Sequence, residues 1–161
     1  MRERTGKDHA LFFAAGNLIH PAICKIHVEV LDPDHPLTRG LGSSFEVEDE
    51  PYFIELQDPR STRILLTADY GPNATSPAIG TLYATDTSLL PDGRTRVIGY
   101  TRAVGNGEVA YIALGHCHNP AIRAARADLA DTTPLTFRGS WESGAFITLL
   151  RNAVAWGTGP A

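Results

Sequence analysis

Three reactive side chains stand in a row at His116-Cys117-His118, an imidazole, a thiol and a second imidazole. Two residues apart on an extended backbone, the rings of His116 and His118 point the same way. Imidazole together with carboxylate suits a divalent transition metal such as zinc, manganese or iron, with a position left for water or a hydroxyl. His116 and His118 are therefore the candidate metal ligands, although no H-x-x-x-H or H-E-x-x-H spacing accompanies them. The same imidazole could instead move a proton, with Asp49 or Glu50 as its acidic partner. Adjacent residues on a strand face opposite ways, so only one of these two carboxylates can enter a given pocket.

Each of these residues also has a structural reading. His116 could be a hydrogen-bonded histidine, His118 a loop residue facing solvent, Asp49 a turn former and Glu50 the partner of an arginine or an amide. His35 precedes Pro36, which forces an extended backbone and can fix a loop without chemistry. Tyr52 and Trp141 could stack on a sugar ring, or belong to the core or its rim. A cysteine nucleophile needs a tight strand-to-helix elbow built of small residues. Cys24, in Ala22-Ile23-Cys24-Lys25, has none, and Cys117 runs on to Asn119-Pro120, so both thiols read as incidental and glutaminase chemistry is not expected.

The element that must carry His116 is Val109 to Leu114, an apolar run that ends at Gly115 and reads as a strand buried on both faces. Asn106-Gly107 before it is a hairpin signal that pairs it antiparallel with Thr95 to Val104. Lys25 to Leu31 alternates cleanly and is broken by Asp32-Pro33-Asp34-His35-Pro36. Leu37 to Gly42 reads as one helical turn closed by glycine. Ser61 to Ala68 is a second strong strand, Phe53 to Leu56 a short one, and 69–93 a long loop. The clearest helix has Ser140 as its cap, Glu142 in its first turn and Gly157 as its stop, with an apolar stripe of Phe146, Leu149, Leu150, Ala153, Val154 and Trp156.

A chain of 161 residues that is 43% hydrophobic and 20% charged suits one soluble globular domain, 1–161, with 1–19 poorly patterned. The net charge of −4 and the lack of a basic patch argue against nucleic acid. The longest apolar run near the start, Ala10 to Ala15, is too short to span a bilayer, and no cationic amphipathic stretch suggests a membrane surface. Two cysteines without framework spacing suit a reducing compartment, and the expected location is cytoplasmic.

Four segments, in order, resemble the ThuA-like (trehalose utilisation) domain family: His35-Pro36-Leu37-Thr38 with Gly40-Leu41, Asp49-Glu50-Pro51-Tyr52, Tyr111 to His116, and Trp141 to Gly157 with Asn152-Ala153-Val154-Ala155-Trp156. The resemblance runs from about His20-Pro21 to Gly157. It implies a three-layer α/β/α, flavodoxin-like fold similar to class I glutamine amidotransferases, here short of its first βα units. It also implies a link to trehalose or related glycosides, with a small carbohydrate as partner. Missing strands would leave an apolar edge, so a homo-oligomer is expected. The site expected on this reading has His116, Asp49 and Glu50 as catalytic residues of a hydrolase or lyase, with His35, Tyr52, His118 and Trp141 contacting substrate. The rival expectation is a non-catalytic sugar-binding or assembly module of the same fold, or a truncated domain.

Overall fold

The computed structural model describes residues 9–11, 23–50, 53–56, 58–69, 87–117, 119–121 and 134–159. Tyr52 and His118 lie outside them, as does most of the 69–93 loop. Seven strands are present among the described residues: β1 (His9–Leu11), β2 (Cys24–Val30), β3 (Ser44–Asp49), β4 (Phe53–Glu55), β5 (Thr62–Asp69), β6 (Thr95–Val104) and β7 (Gly107–Ile112). Five of them form one sheet in the order β3-β2-β5-β6-β7, and β1 pairs with β4 separately.

The fold is a mixed α/β one, but its sheet differs from the parallel core that the family resemblance implies. Every strand pair among the described residues is antiparallel. Between β6 and β7 the two-residue turn allows nothing else, whereas the longer β2–β3 and β5–β6 connections leave the choice to packing. Antiparallel neighbours need only a tight turn, whereas parallel ones need a crossover of a dozen residues or more.

β2 follows its alternation closely: Ile26, Val28 and Val30 are buried, and Lys25, His27 and Glu29 are exposed. The buried side of this sheet receives the helix Gly144–Thr158 through Phe146 and Leu149, which join Ile26, Val28, Val47, Leu66, Ile98 and Leu114 in the main core. The opposite face is closed by a smaller cluster of Ile54, Leu56, Val97 and Tyr100. β5 and β6 are the strands buried most completely.

β7 is not the doubly buried strand that its apolar composition predicts. It is an edge strand, exposed over its first half, with Val109 48% exposed. Only Ala113 and Leu114, just beyond it, are buried. The β6–β7 hairpin is present, but Val104 pairs with Gly107, so its turn is Gly105-Asn106 with Gly105 at φ 62°. Tyr100 stacks on Tyr111 directly across the hairpin, centroids 5.5 Å apart, which favours this register.

The helix starts later than its sequence signals suggest. Its cap is Ser143, whose side chain accepts from the Phe146 amide at 3.5 Å, and Gly157 lies inside the helix. Ser140 and Glu142 belong instead to a short 3-10 turn, Gly139–Glu142. Val154 is 66% exposed and lies off the buried stripe. No helix among the described residues is long and apolar enough to cross a membrane.

Candidate functional site

Antiparallel pairing places the end of β3, the start of β2 and the end of β7 at one end of the sheet. β3 and β7 are opposite edges, yet the chain leaving β7 reaches the last residue of β3. Asp49 makes that junction. It is fully buried, and its Oδ2 accepts from the Gly115 amide at 2.8 Å and from the Ser140 hydroxyl. Its Oδ1 accepts from the His116 amide at 3.1 Å and the Glu50 amide at 2.8 Å. A buried carboxylate is tolerable only when its lone pairs are satisfied in this way. Both oxygens of Asp49 are thus engaged in holding backbone, and its side chain lies beneath the site.

Glu50 turns the other way. Its Oε2 lies 3.1 Å from His116 Nε2, and the two side chains are 23% and 25% exposed. Asp49 therefore fixes the backbone amides of both partners, while the partners meet through their side chains at a surface that solvent reaches.

The surroundings are tightly determined. Gly115 sits at φ 109°, and a Cβ there would come within 3.0 Å of the Phe146 ring. Gly139, at φ 51°, passes so close that a Cβ would meet the His116 carbonyl oxygen at 2.8 Å. The Phe137 ring lies 6.0 Å from the imidazole of His116. Trp141 donates Nε1–H to the Gly115 carbonyl at 2.9 Å, meets Phe146 edge-on at 5.3 Å, and remains 44% exposed. Ser140, Gly139 and Phe137 were not legible as site residues from sequence. Of these only Gly139 carries a local signal, since glycine adopts a positive φ without strain, but that signal does not point to a site.

The structure brings together His116, Glu50, Asp49 and Trp141, but not His35. That residue lies in the β2–β3 connection, at the other end of the sheet. Its ring is 6.3 Å from Trp156, near the end of the helix whose beginning packs at the site. The rise from Phe146 to Trp156 alone separates the two places by about 15 Å. His35 is buried, accepts the Leu37 amide on Nδ1 at 3.2 Å, and organises its own loop.

Among the described residues no group of three or more His, Cys, Asp or Glu side chains could hold a metal ion. Cys117 is exposed and Cys24 half-buried. Burial, and then the carboxylates of Asp49 and Glu48, push the Cys24 thiol up, away from the reactive thiolate.

An α/β protein with an antiparallel sheet and a histidine–carboxylate pair at one sheet end is the class that these features define. Residues 7–126 match the family described as ThuA, trehalose utilisation, and the chain belongs to that family. Its fold is similar to that of a ThuA-like protein from Parabacteroides merdae, with a TM-score of 0.56 and 22% identity over 89% of this chain. The chain spans 42% of the length of that relative. No curated protein matches it in sequence.

Proposed function

We propose that this ThuA-family protein acts on a small carbohydrate, a glycoside or modified sugar, as a hydrolase or lyase in which His116 and Glu50 move the proton. The observation that carries this reading is the 3.1 Å approach of His116 Nε2 to Glu50 Oε2 at a partly open surface. A carboxylate held against one ring nitrogen orients the imidazole and gives a proton a second site within reach, the arrangement general acid–base catalysis requires. Asp49 acts as a positioning residue, because it holds the amides of both partners and offers neither oxygen to substrate. The exposed indole of Trp141 supplies an apolar face against which a sugar ring can stack. Tyr52 and His118, neighbours in sequence of Glu50 and His116, complete the lining on this reading.

A divalent metal fits less well. Glu50 already occupies Nε2 of His116, and a third ligand is absent among the described residues. The steps above use no metal.

The test is turnover of a panel of trehalose-like and other glycosides by the purified protein, with His116→Gln and Glu50→Gln beside it. Each substitution is expected to lower kcat by about 10²- to 10⁴-fold, the usual range for a general acid or base. Undiminished turnover in both variants would end the catalytic reading.

The exposure of Trp141 also favours a second reading, a sugar-binding module without chemistry. Indole fluorescence titrations separate the two. Saturable sugar binding lost in Trp141→Ala, without turnover in the parent, supports the binding module.

A further inference from the structure

The β2–β3 connection, from Leu31 to Ser43, is fastened at the sheet end remote from the site. Its first residues are held to β5 by the ion pair of Asp32 with Arg63, and its later ones to the helix by neutral partners. His35 accepts the Leu37 amide on Nδ1 at 3.2 Å, so that nitrogen carries no proton. Its carbonyl accepts the amides of Thr38 at 3.0 Å and Arg39 at 3.1 Å, which closes the turn. Asn152, on the helix Gly144–Thr158, donates Nδ2 to the carbonyls of Leu37 at 3.0 Å and Arg39 at 2.8 Å. Leu37 and Leu41 are buried in the main core, and Trp156 of the helix packs beside the imidazole.

We propose that this connection is a proton-operated latch: protonation of His35 at Nδ1 replaces its acceptor by a second donor facing the Leu37 amide, and the His35–Gly42 turn then lets go of the terminal turns of the helix. No covalent bond is made or broken beyond the transfer of one proton from solvent.

The charges around the ring agree with this direction. Burial, and then the Arg63 guanidinium on β5, hold the imidazole below its ordinary value of 6.5. Asp32 in the same connection and Glu108 on β7 oppose them without reversing the outcome. The helix faces the ring with Trp156, which carries no charge. A group whose folded form resists protonation stabilises the closed state above its unfolded value, and that contribution is lost as pH falls. Opening would uncover Leu37, Leu41 and the edge of Trp156 while leaving the His116–Glu50 pair in place, so the latch does not depend on the catalytic reading.

The experiment is amide exchange by NMR on the full chain from about pH 7.5 to about pH 5, the range in which histidine titrates, corrected for intrinsic exchange. Protection of Thr38, Arg39 and Leu41 is expected to fall about tenfold per pH unit below 6.5 while the closed form takes up no proton. The core amides of Val28 and Ile98 should keep theirs. His35→Asn retains an acceptor for the Leu37 amide and cannot titrate, so its protection should be flat. Asn152→Ala should lower protection at every pH and keep the slope. Flat protection in the parent, a core that opens in parallel, or a slope that survives in His35→Asn would each overturn the latch. Should His35→Asn fail to fold, the contrast between turn and core amides in the parent decides alone.

Discussion

Asp49 shows how one side chain can matter more than the residues it supports. Its four acceptor contacts reach Glu50, Gly115, His116 and Ser140, which come from three separate parts of the chain. Asp49→Asn keeps the shape but turns one acceptor into an NH₂ facing backbone amides. It should destabilise the protein by about 2–3 kcal/mol, the cost of a lost charge-assisted bond and an orphaned donor. Urea unfolding measures this, and the His116 ring resonances should report a loosened contact with Glu50. Gly115→Ala is expected to cost at least about 1 kcal/mol, because φ 109° is closed to alanine and its Cβ would press on Phe146. A thermal melt that matches the parent would contradict this account of the glycine. At this scale the sequence names His116 and both carboxylates but leaves their pairing open. Spacing says that Asp49 and Glu50 face apart, and only the long-range approach of Gly115 and Ser140 decides which one lies underneath.

At the scale of elements, local signals locate strands and helix well and their ends less well. The helix takes Ser143 as its cap because Ser140 is drawn away to Asp49. Ser143→Ala should therefore cost about 1 kcal/mol, whereas an exposed Ser elsewhere in the chain would not. Chemical denaturation of the two variants makes the comparison. β7 is a similar case: its composition fits a central strand, but position in a sheet follows from pairing, and pairing is not local. The turn that leads into β6 adds a pH prediction. Asp92 accepts the Thr95 hydroxyl at 2.6 Å and the amides of Thr95 and Arg94, each at 2.9 Å, and these bonds, the hydroxyl first, lower its carboxyl to about 2. A lowered carboxylate stabilises the fold fully above its ordinary 3.8 and loses that contribution as pH falls toward about 2. Melting temperatures of Asp92→Asn and the parent should consequently differ at about pH 5 and converge near pH 2.

For the whole molecule, the helix is the beam between two dissimilar ends. Its first turns pack beside the His116–Glu50 pair, and its last turns hold the His35 connection. Leu149, 1% exposed, lies between them in the core shared with the sheet. Leu149→Ala should cost about 2–5 kcal/mol and weaken both ends together, since the cavity loosens the face to which each is anchored. A variant that lowers stability by that amount and leaves both the His116 signals and the turn amides untouched would show that the two ends are independent of the helix.

Sequence alone determined the period-two strands, the amphipathic helix and the presence of an imidazole at the end of an apolar run, because each follows from side chains within a few residues of one another, and it gave the family through the order of four such short segments. The tertiary structure decided the rest. It made the sheet antiparallel, put β7 at an edge, drew the ends of β3 and β7 together through Asp49, and sent His35 to the far end. Those outcomes depend on contacts between residues distant in the chain, whose free energies are set by which buried polar groups find partners, and no local pattern records that choice.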